Sequence, residues 1–174
     1  MKKKTVYIGL SADSVHHGHI NLIEKARQYG NVIIGLLTDK ALINYKGLPL
    51  LSFEQRKKIV SNLKGVFKVI PQNEWDYSIN LKKIKPNYMV HGDDWLSGPQ
   101  LYLRNKAIST LKKFGGQLIE IPYTKGVSST ALATKQKNVG SHQEKNLVLY
   151  WFKHHRIWGA SAKILHKIEC LSLH

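Results

Sequence analysis

Apolar residues follow two alternating patterns through the first 137 residues of the 174-residue chain. Short runs rich in β-branched residues predict buried strands, whereas longer segments with apolar residues three and four apart predict amphipathic helices. Strands separated by helix-length segments indicate βαβ units. We therefore expect an α/β fold, a doubly wound (Rossmann-like) five-stranded parallel sheet with helices on both faces. The five predicted strands are Thr5–Leu10, Val32–Leu37, Val66–Ile70, Tyr88–His91 and Gln117–Ile121.

Start and stop signals place the predicted helices between these strands. Gly30 ends a helix over 20–29, and the capping box Ser52-Phe-Glu-Gln55 opens the next one. The polar stretch between them, Lys40–Leu51, is predicted to be a loop, and Pro71 is predicted to end the third strand. Two further helices are expected, over 100–114 and, capped by Ser128, over 128–136.

Residues 138–174 break this alternation. They hold five of the nine His, two of the four Trp and the single Cys, and Tyr150–Trp158 follows neither a strand period nor a helix period. We therefore expect a domain over 1–137 and a basic, His/Trp-rich C-terminal tail over 138–174 of unknown role. The tail is either a partly helical or loosely ordered appendage, or a segment that binds a membrane surface or a partner. His154 and His155 lack a carboxylate or thiol at ligand spacing, which argues against a metal site there.

Composition narrows the classes of protein that fit. A single thiol, Cys170, excludes an intramolecular disulfide framework and a Cys-based zinc cluster, so a reducing, cytoplasmic setting is expected. No apolar run approaches the roughly 18 residues of a membrane span, and Val6–Leu10 is too short for an export core. The chain carries 27 Lys and Arg against 11 Asp and Glu, a net charge of +16. That charge fits a nucleic-acid surface, an anionic lipid surface or a highly phosphorylated small molecule, and does not choose among them.

The strongest chemical signal follows the first strand, in the segment Ser11-Ala-Asp-Ser-Val-His-His-Gly-His19. It carries three imidazoles where a strand ends and a helix begins, and helix N-termini offer unpaired amides and a partial positive charge to phosphate. Gly18 allows close approach of the backbone, and imidazoles placed there can donate hydrogen bonds to phosphate oxygens. Loop histidines, a pH-sensitive helix cap, or a zinc site completed by Asp13 or His91 are the alternatives.

Two further motifs follow later strands and therefore fall on the same sheet edge. His91-Gly-Asp-Asp-Trp95 sets paired carboxylates beside a glycine, which suits a hydrated divalent cation, a base or a ribose, or else solvated turn acids. Tyr123-Thr-Lys-Gly-Val-Ser-Ser-Thr130 places three consecutive hydroxyls and Lys125 at a helix start, a second anion cradle beyond what capping requires. Lys46 and Arg56 are candidate phosphate-binding cations, with solvated surface charge as the plainer alternative.

Taken in order, these motifs resemble the cytidylyltransferase-like branch of the HxGH nucleotidyltransferases. The resemblance covers about residues 4–137. The chain is similar to glycerol-3-phosphate, phosphoethanolamine and phosphocholine cytidylyltransferases, and to the cytidylyltransferase module linked to phosphoenolpyruvate mutase. The resemblance implies transfer of CMP from CTP to a phosphate or phosphonate acceptor with release of pyrophosphate. The matching segments are Asp13-x-x-His-x-Gly-His19, Glu54-Gln-Arg-Lys57, His91-Gly-Asp-Asp-Trp95 and Thr124-Lys-Gly-Val-Ser-Ser-Thr130.

The resemblance also implies roles for individual residues. His16 and His19 are the implied ligands of the triphosphate and stabilise the transition state at the α-phosphorus. Lys46 contacts phosphates, and Arg56 lies near the base and the acceptor; these four are the implied catalytic residues. The implied nucleotide-binding residues are Gly9, Leu10, Ser11, Asp13, His16, Gly18, His19, Gly92, Asp94, Trp95, Tyr123, Thr124, Ser128, Ser129 and Thr130.

One position departs from the family pattern. Tyr123 stands where glycerol-3-phosphate and choline-type enzymes usually carry Arg, and Lys125 supplies a nearby charge without the geometry of a guanidinium. The resemblance implies Mg2+ bound to CTP as the cofactor, with no metal site firmly assigned to the protein. The implied partners are CTP and a small anionic phosphate or phosphonate acceptor.

Several alternatives remain open at this point. No nucleic acid is expected as a partner, although the charge permits a nucleic-acid-binding protein. An adenylyltransferase of the same fold shares the His-x-Gly-His and Ser-Ser-Thr elements. Related enzymes are commonly dimers, which implies a homodimer, and a lost or separate phosphomutase partner domain is a further hypothesis. Under that hypothesis the chain is a catalytically weakened relic of a cytidylyltransferase–phosphomutase fusion.

Overall fold

The computed structural model describes residues 3–47, 49–122, 150–152 and 155–157. The chain divides into two compact units, Met1–Ser129 and Thr130–His174. In the first unit, five strands form one sheet in the order β3-β2-β1-β4-β5, and every adjacent pair is parallel. The predicted five-stranded, doubly wound sheet is therefore confirmed. The strands are β1 (Thr5–Leu10), β2 (Asn31–Leu37), β3 (Val66–Gln72), β4 (Tyr88–Gly92) and β5 (Gln117–Ile121).

Helices cover both faces of this sheet, so that the core has two layers. Because side chains alternate along a strand, neighbouring residues of β1 enter different layers. Ile8 packs with Ile23 and Val60 on one face, whereas Tyr7 packs with Leu81 on the other. The helices are α1 (His17–Ala26), α2 (Asp39–Lys46), α3 (Phe53–Ser61), α4 (Ser78–Ile84) and α5 (Leu101–Lys112), with 3-10 turns at Asp93–Trp95 and Gly98–Gln100.

The order of the strands reverses at β1, between β2 on one side and β4 on the other. β1 pairs with β2 along its whole length, from Thr5 to Leu10. Its ladder with β4 contains only the pairs Val6 with Tyr88 and Tyr7 with Met89. The carboxyl ends of β1 and β4 are therefore not laddered together, which leaves a crevice at the point where doubly wound folds bind ligands.

The predicted loop over Lys40–Leu51 is wrong for its first half, which belongs to α2. Thr38 caps this helix, because its Oγ1 accepts a hydrogen bond from Ala41 N at 3.4 Å. Ala41 and Leu42 are buried. The helix is only eight residues long, and an exposed apolar residue, Ile43, interrupts its outer side, so its short apolar stripe gives a weak periodic signal.

Other boundaries differ from the predicted ones for local reasons. α1 begins at His17, three residues before the predicted start at residue 20. β3 continues past Pro71, which an edge strand tolerates. The short helix α4 was not predicted; its N-cap residue is Tyr77, and Asp76 Oδ1, one residue earlier, accepts a hydrogen bond from Ser78 N at 2.9 Å.

In the second unit, the described residues form two short antiparallel strands, β6 (Tyr150–Phe152) and β7 (His155–Ile157). These six positions are extended rather than helical, and the interpretation of the tail as a partly helical or loosely ordered appendage stays a prediction. The helix predicted over 128–136 lies outside the described residues. Within the part of the chain that the structure describes, no helix is long and apolar enough to cross a membrane.

Candidate active site

A cleft of about 360 Å³ opens at the carboxyl edge of the sheet, beyond the ends of β1 and β4. The end of β1, the start of α1, the turn after β4 and the segment before α4 supply most of its walls. The structure thus brings the first two predicted motifs together in one site. Eight of the predicted nucleotide-binding residues line the cleft: Gly9, Leu10, Ser11, His16, Gly18, His19, Gly92 and Asp94.

The two signature imidazoles lie at the N-terminus of α1. His16 is the N-cap residue, and its backbone N–H donates to His19 Nδ1 at 3.3 Å. The two rings lie 4.0 Å apart between centroids. Since Nδ1 of His19 accepts this bond, the neutral ring of His19 carries its proton on Nε2. The cap thereby fixes His19 in the tautomer that can donate a hydrogen bond from Nε2.

Burial and the neighbouring His17 lower the pKa of His16, so its ring is neutral at neutral pH. His16 Nδ1 is buried at the start of α1, where the side chain of His16 faces the backbone N–H of His19 and the two residues form a capping box.

His91 forms part of the opposite wall. Its Nδ1 lies 2.8 Å from Gly92 O and therefore carries the ring proton, which leaves Nε2 to accept from Tyr77 Oη at 3.3 Å. Burial lowers the pKa of His91. Its ring stacks on the Trp95 indole, with 3.7 Å between centroids and 10° between planes. This wall of the cleft is thus a neutral imidazole held by its edge and by one face. Asp94, a half-exposed carboxylate, follows it.

Trp95 itself does not line the cleft, which corrects the expectation that it contacts the nucleotide. It is fully buried, and its Nε1 donates to Glu120 Oε1 at 2.7 Å. A large aromatic ring with one polar atom is stable in the core once that atom has a partner. Trp95 therefore supports His91 from behind.

Asp13 also lies outside the cleft lining. Its Oδ1 accepts a hydrogen bond from Leu50 N at 2.7 Å. The carboxylate thus ties the segment between α2 and α3 to the turn that precedes α1.

Arg56 is fully buried beneath this segment, and its guanidinium is bonded within the protein. Nε donates to Leu51 O at 3.1 Å, Nη1 to Ser11 O at 2.6 Å and to Leu37 O at 2.8 Å, and Nη2 to Asp39 Oδ1 at 2.6 Å. Because Nη1 donates to the carbonyl of Ser11, a cleft residue, the expectation that Arg56 lies near the base and the acceptor stays a prediction. The residue joins the carboxyl ends of β1 and β2 to the start of α3.

The remaining predicted residues fall where side chains are not described. Lys46 is the last residue of α2 rather than part of a loop. The third motif, with Tyr123, Thr124, Lys125, Ser128, Ser129 and Thr130, lies outside the described residues. Their roles stay predictions.

Among the cleft residues that the sequence did not single out are two aromatic ones, Trp75 and Tyr77. They follow β3 and precede the unpredicted helix α4. Tyr77 lies directly over Gly9, because a Cβ added to that glycine would be 2.3 Å from Tyr77 Cε1. Aromatic residues just past the carboxyl end of a parallel strand are a signal that would have found both.

Comparison with known proteins places the chain in a family. A family model described as cytidylyltransferase-like matches residues 7–135. Glycerol-3-phosphate cytidylyltransferase of Bacillus spizizenii is 31% identical over 132 residues, which is 75% of this chain and 94% of that protein. Ethanolamine-phosphate cytidylyltransferase of Arabidopsis thaliana is 28% identical over 167 residues, and the chain spans only 38% of its length.

Two other likenesses bear on the fold and on the choice of nucleotide. FAD synthase of Methanopyrus kandleri is 35% identical over 95 residues, covering 52% of this chain and 63% of that protein. The crystal structure of the lipopolysaccharide core biosynthesis protein from Thermoplasma volcanium superimposes with a TM-score of 0.61 at 21% identity. It covers 71% of this chain and 99% of that one, and it supports the fold alone. The match over residues 7–135 spans well over half of the sequence. The chain therefore belongs to the cytidylyltransferase-like family, as its motifs predict.

Proposed function

We propose that this chain is a cytidylyltransferase that transfers CMP from CTP to a small phosphate or phosphonate monoester. The observation that carries the proposal is the pair His16 and His19 at the start of α1, inside the cleft at the switch point of the sheet. Helix N-termini bind phosphate through their amides and dipole. The names of the relatives support a phosphate-containing acceptor.

The proposed reaction needs few groups from the protein. An anionic oxygen of the acceptor attacks the α-phosphorus of CTP in line and forms a new P–O bond. The bond from that phosphorus to the bridging oxygen breaks, and pyrophosphate leaves with the electron pair. Because the attacking oxygen is already deprotonated, positioning and charge stabilisation are the main contributions of the protein.

The cleft residues supply donors suited to this charge. His19, with its proton on Nε2, donates to a non-bridging oxygen of the α-phosphate as negative charge develops there. Neutral His16 avoids the cost of burying a cation before the nucleotide binds. The proposal keeps Lys46 and the Ser128–Thr130 hydroxyls as phosphate contacts, as predicted from the sequence.

The positive net charge is compatible with two anionic substrates, CTP and the acceptor, but it is larger than these two substrates require. Residues 1–137 carry 22 Lys and Arg against 9 Asp and Glu. This exceeds what one triphosphate and one acceptor neutralise. The surplus supplies a positive field that steers anionic substrates toward the cleft.

Magnesium belongs to this proposal as an ion bound to the triphosphate. Asp94 fits such an ion, because its half-exposed carboxylate lines the cleft and can accept hydrogen bonds from metal-bound water. When bound, Mg2+ offsets charge on the departing pyrophosphate. Among the described residues, no group of three or more His, Cys, Asp or Glu is placed to hold a metal.

The second candidate is an adenylyltransferase of the same fold, favoured by the likeness to FAD synthase. One assay decides between the two. The purified chain is incubated with Mg2+, with CTP or ATP, and with a panel of acceptors, and pyrophosphate release is measured. We expect release with CTP and one of aminoethylphosphonate, phosphoethanolamine, phosphocholine or glycerol phosphate, and none without acceptor. Release with ATP alone supports the second candidate, and no release with either nucleotide refutes both. The homodimer and the cytoplasmic location stay predictions.

A further inference from the structure

A pair of charged residues lies behind the His91 wall of the cleft. Arg104 of α5 forms a bidentate pair with Glu120 of β5: Nε lies 2.8 Å from Oε1, and Nη2 lies 2.8 Å from Oε2. Both side chains are about one quarter exposed. Glu120 Oε1 also accepts the Trp95 indole N–H. One carboxylate therefore joins helix α5 to the aromatic ring that supports the cleft.

The pair determines how this carboxylate is oriented. A planar guanidinium matches both oxygens of a carboxylate, so a bidentate pair restricts rotation more than a single bond does. The Arg104 guanidinium and the Trp95 indole both lower the pKa of Glu120, which keeps it ionised at neutral pH. An ionised carboxylate can accept hydrogen bonds on both oxygens, whereas a protonated carboxyl carries a donor O–H on one of them.

The orientation of the Glu120 carboxylate affects the cleft through a hydrogen bond to Trp95 and a ring stack between Trp95 and His91. The indole N–H of Trp95 donates to Glu120, which restrains the direction in which that edge of the buried ring points. The His91 ring stacks on the indole with 10° between the two planes, and His91 lines the cleft together with Asp94. Because both side chains are about one quarter exposed, the ion pair itself contributes little to stability. The contribution of this chain of contacts is therefore geometric.

We propose that Arg104 and Glu120 are positioning residues for the nucleotide: through Trp95 they set the plane of His91 and thereby the shape of the nucleotide-facing wall. This inference rests on the proposed function. The residues proposed to act in the transfer step, His16 and His19, lie on the other wall of the cleft. The Arg104–Glu120 pair therefore contributes to nucleotide binding more than to the transfer step.

The test compares two neighbouring positions on α5. Arg104→Gln breaks the bidentate pair, and Lys106→Gln breaks a control ion pair of the same length, Lys106 Nζ to Asp76 Oδ2 at 2.8 Å. We expect Arg104→Gln to raise KM for the nucleotide that the wild type uses by about 10-fold, which corresponds to about 1.4 kcal/mol. kcat and KM for the acceptor stay within about twofold, since they do not depend on this wall. Lys106→Gln leaves all three constants near those of the wild type.

A spectroscopic measurement reports the positioning itself. The indole N–H resonance of Trp95 in a 1H–15N spectrum is assigned by its loss in Trp95→Phe. It moves in Arg104→Gln and in Glu120→Gln, and it stays in place in Lys106→Gln. If Arg104→Gln does not fold, Arg104→Lys takes its place, because a lysine keeps the charge without the bidentate geometry; a rise in nucleotide KM of a few-fold is then expected.

The outcomes separate this inference from the proposed function. A folded Arg104→Gln with unchanged nucleotide KM overturns the positioning role while turnover by the wild type stands. Equal losses of kcat and of nucleotide affinity also overturn it, because they indicate a general structural defect. If the wild type turns over no nucleotide, the proposed function fails, and the indole resonance alone decides: an unmoved signal in Arg104→Gln refutes the positioning.

Discussion

Replacing Arg56 with Met removes a buried guanidinium that joins four parts of the fold. The side chain is fully buried and donates to three backbone carbonyls and to Asp39. Met fills a similar length but has no donor. We expect Arg56→Met to destabilise the protein while leaving the cleft residues in place.

The magnitude follows from the contacts that are lost. Breaking a buried ion pair by removing one partner costs about 3–5 kcal/mol, and each unsatisfied buried acceptor costs about 1–3 kcal/mol. The Asp39 side chain is 40% exposed, so water replaces part of its lost partner. We therefore expect a loss of about 3 kcal/mol in the free energy of unfolding. For a chain of this size that lowers Tm by about 6–12 °C.

Urea unfolding and thermal melting, both followed by circular dichroism, measure this loss. Lys57→Met is the matched control, because Lys57 is the next residue of α3, forms an ion pair with exposed Glu54 at 3.6 Å and, like Arg56, lies 5.9 Å from the Phe53 ring centroid. Such surface pairs contribute about 0–1 kcal/mol. The reasoning is refuted if Arg56→Met is no less stable than Lys57→Met while its affinity for CTP falls more than about 10-fold. Arg56 would then be a substrate ligand rather than part of the scaffold.

Three further predictions concern the cleft. His19→Ala lowers kcat by about 100-fold or more, whereas exposed His17→Ala stays near the wild type; pyrophosphate release measures both, and near-normal turnover by His19→Ala contradicts the mechanism. Because the pKa of His16 is lowered from 6.5, the unfolded chain binds more protons just below that pH, so stability falls on acidification through about pH 6.5. Urea unfolding at about pH 7.5 and 5.5 should show that His16→Asn loses less unfolding free energy on acidification than the wild type does. An equal loss in the two proteins counts against His16 as the titrating group. Gly9→Ala forces the Tyr77 ring toward the cleft and costs about 1–3 kcal/mol; Tyr77→Leu added to it restores stability in thermal melts, and simple additivity of the two changes argues against the contact.

The fold class was predictable because its elements are long and strongly periodic. β5 has the predicted bounds, and the capping box of Ser52 and Gln55 opens α3 as expected. The helices α2 and α4 were missed because each has fewer than nine residues and few buried positions. Short helices are stabilised by their caps and by tertiary packing more than by their own periodicity, and neither is visible in a local pattern.

Residue roles were harder to predict than residue positions. His16 and His19 lie at the strand-to-helix turn that the motif indicates, since that position depends on local sequence, whereas their roles stay predictions. Arg56 and Trp95 occur at the matching motif positions, but both side chains turn into the interior. Their direction depends on partners distant in sequence, such as the carbonyl of Leu37 and the carboxylate of Glu120. A linear motif does not contain that information.

The short ladder between β1 and β4 has a mechanical consequence. With only two paired positions, Val6 to Tyr88 and Tyr7 to Met89, this junction offers the least resistance to a hinge between the β1–β3 half and the β4–β5 half of the sheet. Widening the cleft there breaks few backbone hydrogen bonds, so it costs less than opening any other junction in the sheet. Amide exchange in the native state should accordingly be faster in β4 beyond Met89 than in the fully laddered β2. A cleft built on such a seam can therefore change its width without unfolding a strand.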